Sequence, residues 1–342
     1  MALLAELDQA AGEIDQRELG SIFFGGGTPS LMPPSLVEAI ISRASQHWPA
    51  TPNIEITLEA NPGTVDSARF ADFRAAGVNR LSLGVQALND RDLYALGRLH
   101  DAKQAKRAIK AASEIFPRFS FDLIYARPGQ DMTSWRAELT EALKFGAEHL
   151  SLYQLTVEEG TAFHAKGVGE AEEGLAADLF TLTREMTAKA NLPAYEISNH
   201  ARQGAECRHN LVYWRGEDYV GIGPAAHGRV TLEGRTVAIA RHAEPKTWLA
   251  AVAKQGHGTS EQTELLNPER IAELLLMGLR LTTGLDRSRF LAQTGIEIEK
   301  TLNAEALAEL SNMGWLTCDD AGLRATEKGF PLLNALIGKL LG

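Results

Sequence analysis

Cysteine is scarce in this chain of 342 residues, which contains only Cys207 and Cys318. Two thiols exclude a disulfide framework and any metal site built from three or four cysteines of this sequence. Long apolar runs are also absent, since no stretch approaches the roughly 20 residues that a membrane-spanning helix needs. The first residues lack the basic region of a signal peptide. The sequence therefore predicts a cytoplasmic protein that is not an integral membrane protein.

Positive charge is in deficit, with 34 Lys and Arg against 44 Asp and Glu and a net charge of −10. No basic run offers a local exception, so nucleic acid is not an expected partner. A hydrophobic content of 44% is ordinary for a globular protein. The length suits a barrel-sized domain followed by a smaller one.

Short strand-like runs alternate with helix-like stretches between residue 20 and about residue 200. This order predicts an α/β fold in which a parallel sheet curls into a partial (β/α)6 barrel. In such a fold the active site lies at the carboxyl ends of the strands. The predicted strands are Leu19–Phe24, Ile54–Glu59, Arg80–Val85, Phe119–Tyr125, His149–Leu155 and Ala194–Ile197. The predicted domains are 1–200 for the barrel, 201–255 for a β-extension, and 256–342 for a C-terminal domain.

The chain opens with an amphipathic helix, predicted over residues 2–16, where a strand would start a βαβ series. A strand upstream of this helix would pair with the one ending at Phe24. The topology therefore leads us to expect a barrel that lacks its first strand.

Beyond residue 200 the pattern changes. Tyr219–Gly223 and Arg229–Ala238 are predicted strands, the second a hairpin that turns at Glu233-Gly234. The polar segment Gln255–Leu266 is predicted to be a linker. The helices and two short strands that follow are typical of a winged helix. Because the protein is acidic, we interpret this part as a small structural domain and not as a DNA reader.

Polar residues follow several predicted strands at the edge where a barrel would bind a ligand. Gly25–Pro29 follows the first strand, and the second and third strands end at Glu59 and Gln86. Asp122 lies within the fourth, and Arg98 lies beyond the helix after Gln86. Each has a simpler explanation as a tight turn, a cap or a buried polar group. Together they suit a zwitterionic ligand that carries a ribose.

In order and spacing these segments resemble the S-adenosylmethionine (SAM) core of the radical SAM coproporphyrinogen III oxidase-like family. The matching runs are Gly25–Ser30, Glu59–Pro62, Leu83–Gln86, Leu96–His100 and Asp122–Tyr125. The resemblance implies that Gly26, Gly27 and Thr28 hold the methionine amino group. It implies that Glu59, Gln86, Arg98 and Asp122 contact the rest of SAM. Ala126-Arg127-Pro128-Gly129 departs from the usual Gly-Leu-Pro-Gly.

A second run, His209-Asn-Leu-Val-Tyr213-Trp214, resembles the mark of HemW-type haem chaperones within that family. The interpretation is that His209 ligates haem iron, while Tyr213 and Trp214 supply flat apolar surface. The nearby Arg208 and Arg215 would meet the propionates, and His200 and His227 are weaker ligand candidates. The alternative is a histidine that caps a helix beside core aromatics. Cys207 is interpreted as a small apolar filler.

The family's Cys-x3-Cys-x2-Cys loop, which holds a [4Fe–4S] cluster, has no counterpart in this sequence. We expect a truncated N-terminus more than a clusterless paralogue, and a cluster only in the complete protein. The resemblance implies a haem chaperone that transfers haem to membrane-bound haem enzymes; whether it is also an enzyme stays open. The alternatives are an oxygen-independent coproporphyrinogen III oxidase and a barrel with purely interacting functions.

Overall fold

The computed structural model describes residues 1–14, 17–64 and 66–342. The strands are β1 Leu19–Phe24, β2 Ala50–Ala60, β3 Arg80–Gln86, β4 Arg118–Tyr125, β5 His149–Gln154, β6 Asn199–Ala201, β7 His227–Leu232, β8 Arg235–Arg241, β9 Thr259–Glu264, β10 Leu285–Asp286, β11 Leu316–Asp319 and β12 Gly322–Ala325. The helices are α1 Ala2–Glu13, α2 Pro34–His47, α3 Ser67–Ala75, α4 Asp90–Ala95, α5 Ala102–Ile115, α6 Met132–Leu143, α7 Ala162–Ala165, α8 Glu173–Lys189, α9 Arg208–Trp214, α10 Pro245–Gln255, α11 Asn267–Gly278, α12 Arg287–Thr294, α13 Ala304–Asn312 and α14 Leu333–Leu341.

Strands β1 to β6 form one sheet in sequence order, and β2 to β5 pair in parallel. Helices connect the parallel strands, as right-handed βαβ units require. Leu58, Leu81, Leu83 and Phe121 are fully buried in this sheet. The predicted α/β class and parallel pairing are confirmed, and the first five predicted strands agree with the structure to within a few residues. Of the predicted first helix, residues 15 and 16 lie outside the described residues.

The sixth strand differs from its prediction in position and direction. It spans Asn199–Ala201 instead of Ala194–Ile197, and it runs antiparallel to β5. The chain turns back on itself here, because Ala194 forms a bridge with His200 and the Glu196 carboxylate accepts from the Ser198 backbone N–H at 3.1 Å. The residues of the predicted strand, Ala194–Ile197, therefore lead into this turn and do not form a parallel strand.

The predicted hairpin is confirmed as β7 and β8, with Glu233 and Gly234 at φ of 50° and 80° in its turn. Both values are left-handed, as a two-residue hairpin turn requires. The predicted linker is wrong over half of its length, since Thr259–Glu264 forms β9 beside β8. Its side chains are almost all exposed, so the strand has no apolar alternation that a sequence pattern would reveal.

The C-terminal part contains α11 to α14 and the small sheet β10-β12-β11. The two short strands expected there are confirmed as β11 and β12, which pair antiparallel from Leu316↔Ala325 to Asp319↔Gly322. Gly322, at φ 144°, lies where a Cβ would be 1.8 Å from the Leu285 carbonyl oxygen. Close backbone approach therefore requires glycine at this corner.

The chain divides into two compact units. One comprises Ile22–Val37 and Glu55–Cys207, and the other comprises Met1–Ser21, Glu38–Ile54 and Arg208–Gly342. The predicted three-domain boundaries stay a prediction. No helix among the described residues is both long and apolar enough to cross a bilayer.

The second unit is organised around the buried carboxylate of Glu6 on α1. It accepts hydrogen bonds from the backbone N–H groups of Gly223 and Gly258, both at 2.7 Å, and from Trp248 Nε1 at 3.1 Å. Arg241 Nε lies 3.5 Å from the same carboxylate. A buried charge is tolerated when it is paired and hydrogen-bonded in this way.

Candidate functional site

The glycine loop after β1 is the first wall of the candidate site. Gly26 and Gly27 have φ of 76° and 51°, which favours glycine over any residue with a side chain. The Gly26 N–H donates to Glu59 Oε2 at 3.3 Å. A Cβ on Gly25 would lie 2.6 Å from the Phe23 ring and 3.5 Å from the Glu59 carboxyl carbon. The loop thus lies directly against the carboxylate that ends β2.

The loop is anchored by the residues that follow it. Thr28 leads into a short 3-10 helix at Pro29–Leu31. The buried Ser30 hydroxyl lies 3.0 Å from the Thr64 hydroxyl, and Arg69 donates to the Ser30 carbonyl at 2.7 Å. These contacts hold Gly26, Gly27 and Thr28 at the carboxyl end of the sheet.

Glu59 is the first of two carboxylates at this edge. Burial raises its pKa above the ordinary value, and the hydrogen bond from Gly26 opposes that shift. An ammonium or a hydroxyl group of a ligand would relieve the cost of keeping this carboxylate ionised.

Gln86 ends β3 in an uncommon backbone conformation, with φ of 75°. The register with β4 shifts between Leu83 and Gln86, which marks a bulge. A Cβ on Gly84 would lie 3.3 Å from both the Gln86 side-chain nitrogen and the Asn61 side-chain oxygen. Glycine at position 84 therefore makes room for two amide side chains at this end of the sheet.

Asp122 on β4 is the second carboxylate. Burial raises its pKa to about 7, the hydrogen bond with Ser151 and the charges of Arg80 and Arg98 lower it, and Glu59 raises it. Asp122 therefore titrates near neutrality, within electrostatic reach of Glu59 and Arg98. A titrating carboxylate in such a cluster is typical of a functional site.

Arg98 supplies the positive charge of the site. Burial lowers its pKa, and the charge of Asp122 raises it. Two residues on, His100 is buried, and its Nε2 lies 3.1 Å from the Val85 carbonyl oxygen. Burial lowers the pKa of His100 as well, which favours the neutral ring at neutral pH. The predicted site residues of the sheet are thus brought together.

Several further polar side chains lie at this edge. Ser151 pairs with Asp122 in the β4–β5 register and hydrogen-bonds it. Tyr153 hydrogen-bonds Ser151 and Asn199, and burial raises its pKa. Burial also raises the pKa of Glu196, which hydrogen-bonds Asn199. The sequence did not assign Ser151 or Asn199 to this site, because the β4–β5 register places Ser151 opposite Asp122 and the antiparallel β6 brings Asn199 close.

Two carboxylates, one guanidinium and two amides at one sheet edge define the chemistry that this surface can bind. Arg98 suits a ligand carboxylate, and Glu59 and Asp122 suit cationic centres or hydroxyl donors. With both carboxylates ionised the three charges sum to about one negative charge, so a ligand of net positive charge is complementary.

The His209–Trp214 run forms the short helix α9 in the other unit. His209 and Tyr213 lie one turn apart, with ring centroids 4.7 Å apart and nearly perpendicular. Tyr213 continues the cluster to Tyr219 at 4.4 Å. Trp214 Nε1 is buried, and no described residue accepts a hydrogen bond from it. A buried donor without an acceptor costs about 1–3 kcal/mol.

The other predicted haem contacts are placed as follows. Arg208 begins α9 and Arg215 follows it, exposed to solvent. His227 is exposed at the start of β7. His200 is buried, with its Nδ1 2.9 Å from the Thr187 hydroxyl, and burial lowers its pKa to about 3. This surrounding explains His200 as a structural residue within β6.

The two cysteines do not fit an iron–sulfur cluster. Cys207 is buried, with Sγ 3.6 Å from a Glu55 carboxylate oxygen. Cys318 lies on β11 beside Arg287 and Glu299. Among the described residues no group of three or more His, Cys, Asp or Glu side chains is arranged to hold a metal ion.

Comparisons with known proteins define the class to which this architecture belongs. The radical SAM superfamily matches residues 2–141, and the HemN C-terminal domain matches residues 265–332. The structure is similar to that of the coproporphyrinogen III oxidase HemN from Escherichia coli, with a TM-score of 0.81 and 21% identity, over 99% of this chain and 81% of that one. The likeness confirms the predicted partial barrel with a C-terminal domain.

Two curated relatives refine the assignment. The heme chaperone HemW of Escherichia coli is 36% identical, over 98% of this chain and 87% of its own length. The mitochondrial radical S-adenosyl methionine domain-containing protein 1 of Bos taurus is 38% identical, over 95% of this chain and 76% of its own length. The chain belongs to the HemN-like family of radical SAM proteins, close to HemW.

Proposed function

We propose that this protein is a haem-binding chaperone of the HemW type, which passes haem to haem-dependent membrane enzymes. The observation that carries the proposal is the ring cluster of His209, Tyr213 and Tyr219, next to the unsatisfied Trp214 N–H. An imidazole beside flat aromatic surface suits a haem iron and its macrocycle. The relatives named heme chaperone support this choice. The cytoplasmic location stays a prediction.

We further propose that SAM binds at the carboxyl end of the sheet. Gly26, Gly27 and Thr28 would face its methionine end, and Arg98 would pair with its carboxylate. Glu59 and Asp122 would accept from its ammonium and ribose hydroxyls. SAM carries a sulfonium, an ammonium and a carboxylate, so its net positive charge complements the net negative charge of the site.

The haem proposal is tested by titrating the purified chain with haemin and following the Soret band. We expect His209→Ala to lose most of the ligation-dependent shift, because the iron loses its nitrogen ligand. His164→Ala is the matched control, since it removes an exposed imidazole on α7 that is not a candidate haem ligand. Equal haem binding by His209→Ala and the parent would contradict the assignment.

Coproporphyrinogen III oxidation is the second candidate, because a site for SAM serves either protein. The test uses a form of the protein that includes a Cys-x3-Cys-x2-Cys loop, reconstituted anaerobically with iron and sulfide and supplied with SAM, a reductant and coproporphyrinogen. Release of carbon dioxide at a catalytic rate would favour the oxidase. Haem binding without turnover supports the chaperone.

A further inference from the structure

Arg127 is, with Ala126, one of two residues at which this chain departs from the Gly-Leu-Pro-Gly pattern, and the structure places it inside the protein. It follows β4, and only 4% of its surface is exposed. Its Nη1 donates to the Ile124 carbonyl at 2.7 Å and to the Gln86 carbonyl at 3.4 Å. Its Nη2 lies 2.8 Å from Asp92 Oδ2 and also pairs with Glu138. One guanidinium therefore joins the ends of two strands to α4 and α6.

Glu138 completes this arrangement from α6. Its Oε1 accepts a hydrogen bond from the Leu88 backbone N–H at 2.7 Å, and it is buried with Arg127. The pair thus holds the segment after β3 at three points: the Gln86 carbonyl, the Leu88 N–H and the Asp92 side chain. A leucine at position 127 would provide none of the donors and would leave Glu138 without its buried cation.

The segment held in this way contains the left-handed Gln86. A side chain at φ of 75° is disfavoured, and such a conformation persists only where the surroundings impose it. Arg127 Nη1 donates a hydrogen bond to the carbonyl oxygen of Gln86 itself. Ala126, at φ 57°, precedes Arg127 and is strained in the same sense. The ion pair therefore lies at the junction of two unfavourable backbone turns beside the candidate site.

We propose that Arg127, together with Glu138, is a positioning residue for Gln86. The pair holds Gln86 in the left-handed conformation that places its amide over Gly84, beside Asn61. It acts through Gln86 and contacts no ligand. The inference rests on the proposed role of Gln86 in SAM binding.

The test compares Arg127→Leu, the milder Arg127→Lys and a matched control at the opposite end of β4. Lysine keeps the charge but cannot reach both carbonyls and both carboxylates. The control is Arg118→Leu, because Arg118 also pairs with two carboxylates, Glu55 at 2.7 Å and Glu148 at 2.5 Å. The eight residues of β4 place the two arginines about 25 Å apart. Thermal unfolding of each variant monitors the general loss of stability.

Two readouts decide the proposal. The first is amide hydrogen exchange of peptides covering residues 84–90, which we expect to accelerate about tenfold or more in Arg127→Leu and less in Arg127→Lys. The second is the dissociation constant for SAM by calorimetry, which we expect to rise about tenfold in Arg127→Leu and not in Arg118→Leu. Recovery of part of the affinity in Arg127→Lys would support positioning.

The outcomes separate the two hypotheses. If hydrogen exchange at residues 84–90 is unchanged in both Arg127 variants, Arg127 does not hold this segment, and the proposal is overturned at any value of the SAM dissociation constant. Faster exchange with unchanged SAM affinity overturns the positioning role, as does an equal loss of affinity in Arg118→Leu. A parent protein that binds no SAM overturns the SAM assignment, and the positioning role with it, while the exchange data still report whether Arg127 holds the segment.

Discussion

The titration of Asp122 gives the sharpest prediction about this protein. Its pKa is raised from 3.8 to about 7, mainly by burial. A carboxyl group that holds its proton more tightly in the folded state stabilises the fold at low pH. That contribution is fully present below the unfolded pKa of 3.8, declines as pH rises, and is lost once pH passes about 7. The contribution of Asp122 to stability should therefore fall between pH 4 and pH 7.

The magnitude follows from the shift. About three pKa units at about 1.4 kcal/mol each set an upper limit of about 4 kcal/mol. Because Asp122 keeps partial contact with solvent, screening reduces the expected value to about 2 kcal/mol. Asp122→Asn has no proton to gain at this position. The parent's unfolding free energy should thus fall by about 2 kcal/mol more than the variant's between pH 4.5 and 7.5.

Urea unfolding followed by circular dichroism at several pH values measures this difference. Asp178→Asn, on the exposed face of α8, is the matched control and should leave the pH profile parallel to the parent's. If the difference between the parent and Asp122→Asn stays constant from pH 4.5 to 7.5, Asp122 does not titrate in this window and the reasoning is refuted. If SAM binds there, its affinity should rise with pH through about 7 in the parent only.

Three further changes test other parts of the structure. Glu6→Ala removes the acceptor shared by Gly223, Gly258 and Trp248, and it should lower the free energy of unfolding, measured in urea, by about 3 kcal/mol. The control, Glu13→Ala on the exposed end of α1, should change that free energy by less than about 0.5 kcal/mol. Gly25→Ala should weaken SAM binding about tenfold or more by calorimetry, because its methyl group meets the Phe23 ring; unchanged affinity would contradict the loop assignment. Gly322→Ala should lower the melting temperature by several degrees, since its Cβ collides with the Leu285 carbonyl, and an unchanged value would mean that the corner adapts.

The sheet shows how well local patterns predict structure here. The first five strands are short, mainly apolar runs between helical segments, so the sequence pattern alone located them. Two elements escaped prediction for opposite reasons. Thr259–Glu264 is a polar exposed strand that exists because β8 offers it a partner, and Asn199–Ala201 is a strand of three residues created by a turn. Pairing between distant segments leaves no periodic trace in either.

The candidate site divides in a similar way. Glu59 and Gln86 stood out as polar residues at the ends of strands, and Asp122 as a polar residue within one. The order of the motifs also matched a known family. The contact between Gly26 and Glu59 required the loop to fold onto β2. The pKa of Asp122 depends on how Ser151, Glu59 and Arg98 surround it, which a linear sequence does not specify.

By itself, the sequence determined the α/β class, the family resemblance and the residue types available for binding, because these depend on composition, period and motif order. Tertiary structure decided the direction of β6, the burial that moves the pKa of Asp122 to about 7, and the convergence of Gln86, Asp92 and Glu138 on Arg127. The physical reason is range. Helix and strand preferences act between neighbours in sequence, whereas desolvation and ion pairing act between atoms that only the folded chain brings within a few ångströms.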